Sequence, residues 1–101
     1  MATKKKFTPI EIHANDPSDI FESHREQISK GIVYAIQHGI GSRKKRIDFA
    51  RVIIKGLLVI TLSVDSREFM ELLDENLEIL IEFEDYETCA LVMKLKDKLK
   101  K

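Results

Sequence analysis

The chain has a single cysteine, Cys89, so no disulfide can form within one copy. That suits a reducing compartment. The basic start, "MATKKKFTPIEIH", has no apolar stretch behind it, so it does not read as a secretion signal. The longest apolar run, "VIIKGLLVITLSV", is too short to cross a bilayer and contains Lys55. It reads as core, and together these absences predict a cytoplasmic protein. Net charge is also missing: 17 basic residues balance 17 acidic ones. No global field draws the chain to nucleic acid or to an anionic membrane, so any such attraction must be local. Catalytic signatures are lacking as well. His13, His24 and His38 are scattered, and no His-Cys or His-carboxylate spacing matches a zinc site. Gly39 and Gly41 lack the Gly-Lys-Ser/Thr of a phosphate loop. No triad, EF-hand or cofactor fingerprint is present. The expectation is a protein without catalytic, cofactor or metal residues.

What is present is 101 residues, 44% apolar and 34% charged, the composition of one globular domain at the charge-rich end. Charge is segregated. Residues 43–55 are basic apart from Asp48, residues 65–87 acidic apart from Arg67, and residues 88–101 lysine-rich. Such blocks predict distinct basic and acidic surfaces, or mutual neutralisation.

Residues 1–15 read as a flexible basic arm and residues 16–101 as one helical domain. "NDPSDIFESHREQISKGIVYAIQHG" predicts a first helix, with Asp16 or Ser18 as cap, Pro17 in the first turn, and Gly39 and Gly41 as terminators. "FARVIIKGLLVITLSV" predicts a second helix, apolar nearly all round and therefore central. The competing reading is strand: "LLVITLSV" alternates and is rich in β-branched residues, with Lys55-Gly56 as a hairpin turn. The helix is preferred because "RIDFARVII" does not alternate. "DSREFMELLDENLEILIEF" carries an apolar stripe opposite Glu68, Glu71, Asp74, Glu75, Glu78 and Glu82, with Asn76 as a lone amide inside the stripe. Such an amide needs partners and sets helix pairing. "EDYETCALVMKLKDKLKK" predicts a last helix with two apolar faces, Tyr86, Cys89, Ala90 and Met93 on one, and Leu91, Val92, Leu95 and Leu99 on the other. The fold expected is all-α, a small four-helix bundle with an extended basic N-terminal arm; the alternative is α+β with a hairpin at 47–64. The expected core is Phe21, Ile28, Ile32, Val52, Ile53, Leu57, Ile60, Leu73, Leu77, Leu80, Cys89, Val92 and Met93.

The run Tyr86-Glu87-Thr88-Cys89-Ala90 opens the last helix with an aromatic-Glu-x-small-small pattern. Residues 72–99 thereby resemble the UVR helical hairpin of nucleotide-excision-repair subunits and some protease adaptors. The resemblance covers just over a quarter of the chain and departs from the family at Met93 and Lys94, where an Arg-Asp pair is usual. It implies an antiparallel helix pair used for protein–protein docking.

The strongest functional candidate is "HGIGSRKKRID". Arg43, Lys44, Lys45 and Arg46, extended by Arg51 and Lys55, form the expected partner-binding patch. Placed before a helix start, four cations oppose the helix dipole, and a bound anion would relieve that penalty. The bland reading is a solvated loop, or one paired with the acidic third helix. Nucleic acid would be met with Lys4, Lys5 and Lys6 added, but no aromatic stacks nearby except Phe49, which reads as core. The function expected is a non-catalytic interaction module: an adaptor, regulator or assembly subunit with a protein partner or self-association, and no membrane. The alternative is a nucleic-acid-binding accessory protein using the Arg43–Lys55 patch.

Overall fold

The computed structural model describes residues 8–100, apart from the side chain of Phe21. In order these residues form β1 (Ile10–Ala14), α1 (Pro17–Ser23), α2 (Arg25–Ser42), β2 (Arg46–Ile54), β3 (Leu58–Asp65), a 3-10 turn at Ser66–Glu68, α3 (Phe69–Glu82) and α4 (Tyr86–Leu99). The fold is α+β, with a three-stranded mixed sheet and four helices. The all-α four-helix bundle is therefore incorrect, and so is a purely helical domain over 16–101. The central segment folds back as the β2–β3 hairpin. Lys4–Lys6 lie outside the described residues.

Strand order is β1-β2-β3, with β1 parallel to β2 and β2 antiparallel to β3. Ile10–Ala14, expected within an arm, pair with Ala50–Ile54. The failure of "RIDFARVII" to alternate has a local cause. The register slips between Asp48 and Ala50, a β-bulge, and Phe49 and Ala50 are both buried. One extra residue in one strand shifts the period-2 pattern. Lys55 and Gly56 make the turn with φ of 53° and 70°, and the Leu57 amide donates to the Ile54 carbonyl at 3.0 Å.

Asp16 caps α1, accepting from the amides of Ser18 and Asp19, with Pro17 in the first turn. Helix α1 ends at once: His24 leaves helical geometry, and α2 begins at Arg25. The long predicted helix is thus two. The central element of the fold is α2. Its Ile28, Ser29, Gly31, Val33, Ala35, Ile36 and Gly39 are all buried, so several faces of the helix are covered. Gly31, Ala35 and Gly39 repeat at i, i+4, one face of a helix. A Cβ at Gly31 would meet Ile10 and Phe49, and one at Gly39 would lie 2.6 Å from Ile47. This small-residue face lets the helix lie close on the sheet. The helix runs through Gly39 and Gly41 to Ser42, and Arg43, with φ of 58°, is the residue that ends it.

On the other side of α2, the Ser29 hydroxyl donates to Asn76 Oδ1 at 2.7 Å while Asn76 Nδ2 donates to the Leu72 carbonyl at 2.7 Å. The buried amide thus finds both partners and links α2 to α3. Helices α3 and α4 form a hairpin. The amides of Glu84 and Asp85 donate to the carbonyls of Ile81 and Leu80, closing the end of α3 with Glu84 in the left-handed region. Asp85 then caps α4 through the amide and hydroxyl of Thr88.

The core unites Ile12, Val33, Ile36, Phe49, Val52, Leu73, Leu80, Val92 and Leu95 with their neighbours. Of the expected core, Ile28, Val52, Leu73, Leu80 and Val92 are buried; Ile32, Ile60, Leu77 and Cys89 pack at its margin. Ile53 points to the sheet's outward side. Leu57 and Met93 are exposed, and the side chain of Phe21 lies outside the described residues.

Candidate interaction surface

Ile12 and Ala14 of β1 and Ile47, Phe49, Ala50, Val52 and Ile54 of β2 face inward and are buried, whereas Glu11, His13, Arg46, Asp48, Arg51 and Thr61 are exposed. The helices therefore cover one face of the sheet. Parallel strand pairs are usually covered on both faces. Here Glu11 and Arg51, opposite each other in register, put charge where a second layer would lie.

The basic run sits at one corner of this sheet. Arg43 ends α2, Lys44 and Lys45 bridge, and Arg46 opens β2. The Lys45 carbonyl accepts from the Ser66 amide at 2.6 Å, tying the loop to the end of β3. Arg46 Nε donates to Ser63 Oγ at 3.0 Å, and Arg46 lies opposite Asp65. The expected dipole conflict is reversed. The run follows a helix C-terminus, where cations are favoured, and α2 has no basic residue in its own last turn. Penalty relief by an anion is thus no argument for binding there.

The structure does not gather all six cations. Arg51 projects from mid-strand, and Lys55 lies in the turn beyond the far end of β2, whose 9 residues span about 30 Å. The rim is Arg43–Arg46; Arg51 and Lys55 are separate from it. Nor does the rim pair with the acidic third helix. Among the described residues the ion pairs of α3 are Glu82 with Arg25 and Asp74 with Lys96, and none involves residues 43–46, 51 or 55.

Chemistry of other kinds is not assembled. Among the described residues no three His, Cys, Asp or Glu side chains are grouped to hold a metal. Burial, and secondarily the Asp85 charge, push the Cys89 thiol above its ordinary value, which favours the protonated thiol over the nucleophilic thiolate. His24 bonds Gln27 Oε1 at 3.1 Å and His13 bonds Glu11. A groove of about 230 Å³ between α2 and α3 is lined by Arg25, Ile28, Ile32, Leu72 and the Ser29–Asn76 pair. Its buried polar groups satisfy each other and none is left aimed at a ligand.

Among the described residues, apolar side chains are exposed on α4 and at the hairpin tip. Tyr86 and Met93 of α4 are 64% and 53% exposed; with Ala90 they share one helix face. Leu57, Leu58 and Val59, at the hairpin tip, are 89%, 53% and 51% exposed. Among the described residues β3 is moreover an outer strand of the sheet, bonded on one side only. The sequence signal for this surface is the uncharged stretch Gly56–Val64.

Comparison of the chain with protein-family models, curated proteins and solved structures found no match. Among the described residues, no helix is long and apolar enough to cross a membrane.

Proposed function

We propose that the chain is a non-catalytic protein–protein interaction module of the cytoplasm, an adaptor, regulator or assembly subunit, whose cationic rim receives an acidic segment of a partner. One observation carries this reading. Arg43, Lys44, Lys45 and Arg46 are consecutive and exposed; Arg46 lies opposite Asp65 and acts on its charge, yet none of the four forms an ion pair with a carboxylate among the described residues, although the chain holds 17 acids. Cations without an ion-pair partner on a fixed corner steer and orient a complementary partner. The exposed face of α4 offers an apolar contact of the docking kind that the UVR-type resemblance implies.

A nucleic-acid partner fits less well. Its patch would need Arg51 and Lys55, which the strand carries away from the rim. Phe49, the one aromatic near in sequence, is 5% exposed and cannot stack on a base.

The test is a pull-down with wild type beside a variant carrying Arg43→Ser, Lys44→Ser, Lys45→Ser and Arg46→Ser. The expected result is a protein partner retained by wild type and lost by the variant. Loss of nucleic acid instead would establish the other class, and an unchanged profile would remove the rim from the function.

A further inference from the structure

The two ends of α2 meet opposite charge. Near its start the α3–α4 turn is tied on by ion pairs of Arg25 with Glu82 and of Lys30 with Asp85, both at 3.3 Å. At its other end Arg43 opens the cationic rim. The 18 residues of the helix span about 27 Å, so the rim cannot reach the turn of its own chain. That turn and the start of α4 read Phe83-Glu84-Asp85-Tyr86-Glu87. Asp85 is engaged by Lys30 and by capping α4. Glu84 and Glu87 are exposed and enter no ion pair or side-chain hydrogen bond among the described residues. Phe83 and Tyr86 beside them are 42% and 64% exposed. Glu22, exposed on α1, lines one hollow with Phe83 and adds a third carboxylate. Carboxylates interleaved with aromatic rings suit a run of arginine and lysine. The cations pair with the carboxylates and lie over the ring faces.

We propose that the acidic segment received by the rim is Phe83–Glu87 of a second copy, so that copies of the chain join through opposite ends. The inference rests on the rim's taking an acidic segment, and it names that segment. The charge balance fits: 17 bases match 17 acids, and each copy that offers cations at one end of α2 offers carboxylates at the other. The cations at the turn, Arg25 and Lys30, are already held by carboxylates of their own chain, so they do not oppose an incoming rim. The contact joins two different patches, which makes it heterologous. It is built from exposed charges and is therefore weak and sensitive to salt.

The experiment is sedimentation velocity on the full chain over a concentration series at low ionic strength, with far-UV circular dichroism to confirm that each variant is folded. Wild type is expected to reach twice the 11.7 kDa chain mass or more. It is expected to fall to the monomer at ~1 M salt, where the Debye length is about 3 Å. Glu84→Gln with Glu87→Gln is expected to be monomeric. So is the variant carrying Arg43→Ser, Lys44→Ser, Lys45→Ser and Arg46→Ser. Both sets change only exposed side chains. Each variant keeps one working end, so an equimolar mixture of the two is expected to regain association, at twice the chain mass. Joining through any other surface would not show this rescue. A wild type monomeric at every concentration overturns the inference, and the pull-down then still decides whether the rim takes an acidic segment of another protein. Assembly that survives either set of changes, or a mixture that stays monomeric, overturns it equally.

Discussion

Gly39 and Gly41 stand two residues apart in α2 and do different things. A Cβ at Gly39 would lie 2.6 Å from Ile47 Cδ1 and 2.8 Å from Phe69 Cζ, and both of those side chains are buried. At Gly41 nothing lies within 4 Å. Gly39→Ala is therefore expected to lower stability by about 1–3 kcal/mol through overpacking, offset in part by the roughly 1 kcal/mol that alanine gains in helix propensity. Gly41→Ala keeps only the gain and is expected to raise stability by up to ~1 kcal/mol. Urea denaturation of both variants checks the pair; equal shifts in one direction would mean that α2 does not lie on the sheet as described. Both glycines were legible as punctuation, but only the packing shows that one is a contact and neither is a stop. Asn76 was more legible. An amide alone within an apolar stripe needs partners, and Ser29 and the Leu72 carbonyl supply them.

Whole elements were read with uneven success. α3 and α4 follow from their apolar stripes, because a helix is specified by neighbours three and four residues apart. The hairpin was present only as the second choice. A single bulge at Phe49 puts two successive residues into the core, and that broke the alternation on which the strand reading depends. The helical reading then carried the site astray, since Arg51 and Lys55 adjoin on a helix and part on a strand. The α3–α4 turn is held to α2 by Lys30 and Asp85, 3.3 Å apart. Burial raises the Asp85 pKa, but the Thr88 hydroxyl and amide and Lys30 together outweigh it, leaving the carboxyl below its ordinary 3.8. The Ser18 hydroxyl acts likewise on Asp16, and Arg67 on Asp65. A carboxyl depressed in the folded chain binds its proton more readily when unfolded. Its contribution is complete above the unfolded pKa and is lost as pH falls through the folded one. Melting temperature is thus expected to fall below pH ~4 through these groups, with a shallower acid limb for Asp85→Asn. An identical limb would show that the cap and ion pair of Asp85 add nothing. Lys30 shifts upward, chiefly through its bond to Asp85, so its contribution persists below its ordinary 10.5 and fades as pH rises beyond it.

At the scale of the molecule, the surface left for partners is the side of the sheet that the helices do not cover, with the rim at one corner and β3 along one border. The rim was legible from four adjacent cations. The border was not, because an edge is defined by which strands pair, and the pairing of Ile10–Ala14 with Ala50–Ile54 joins residues 40 apart in the chain. That β3 is a strand with one open side is the claim on which the account turns. Residue-resolved amide hydrogen exchange tests it most directly. Slow and fast exchange is expected to alternate along Leu58–Val64, where every second amide faces the open side, while β2 is protected on both. Uniform slow exchange from Leu57 to Val64, as a buried helix gives, would contradict it.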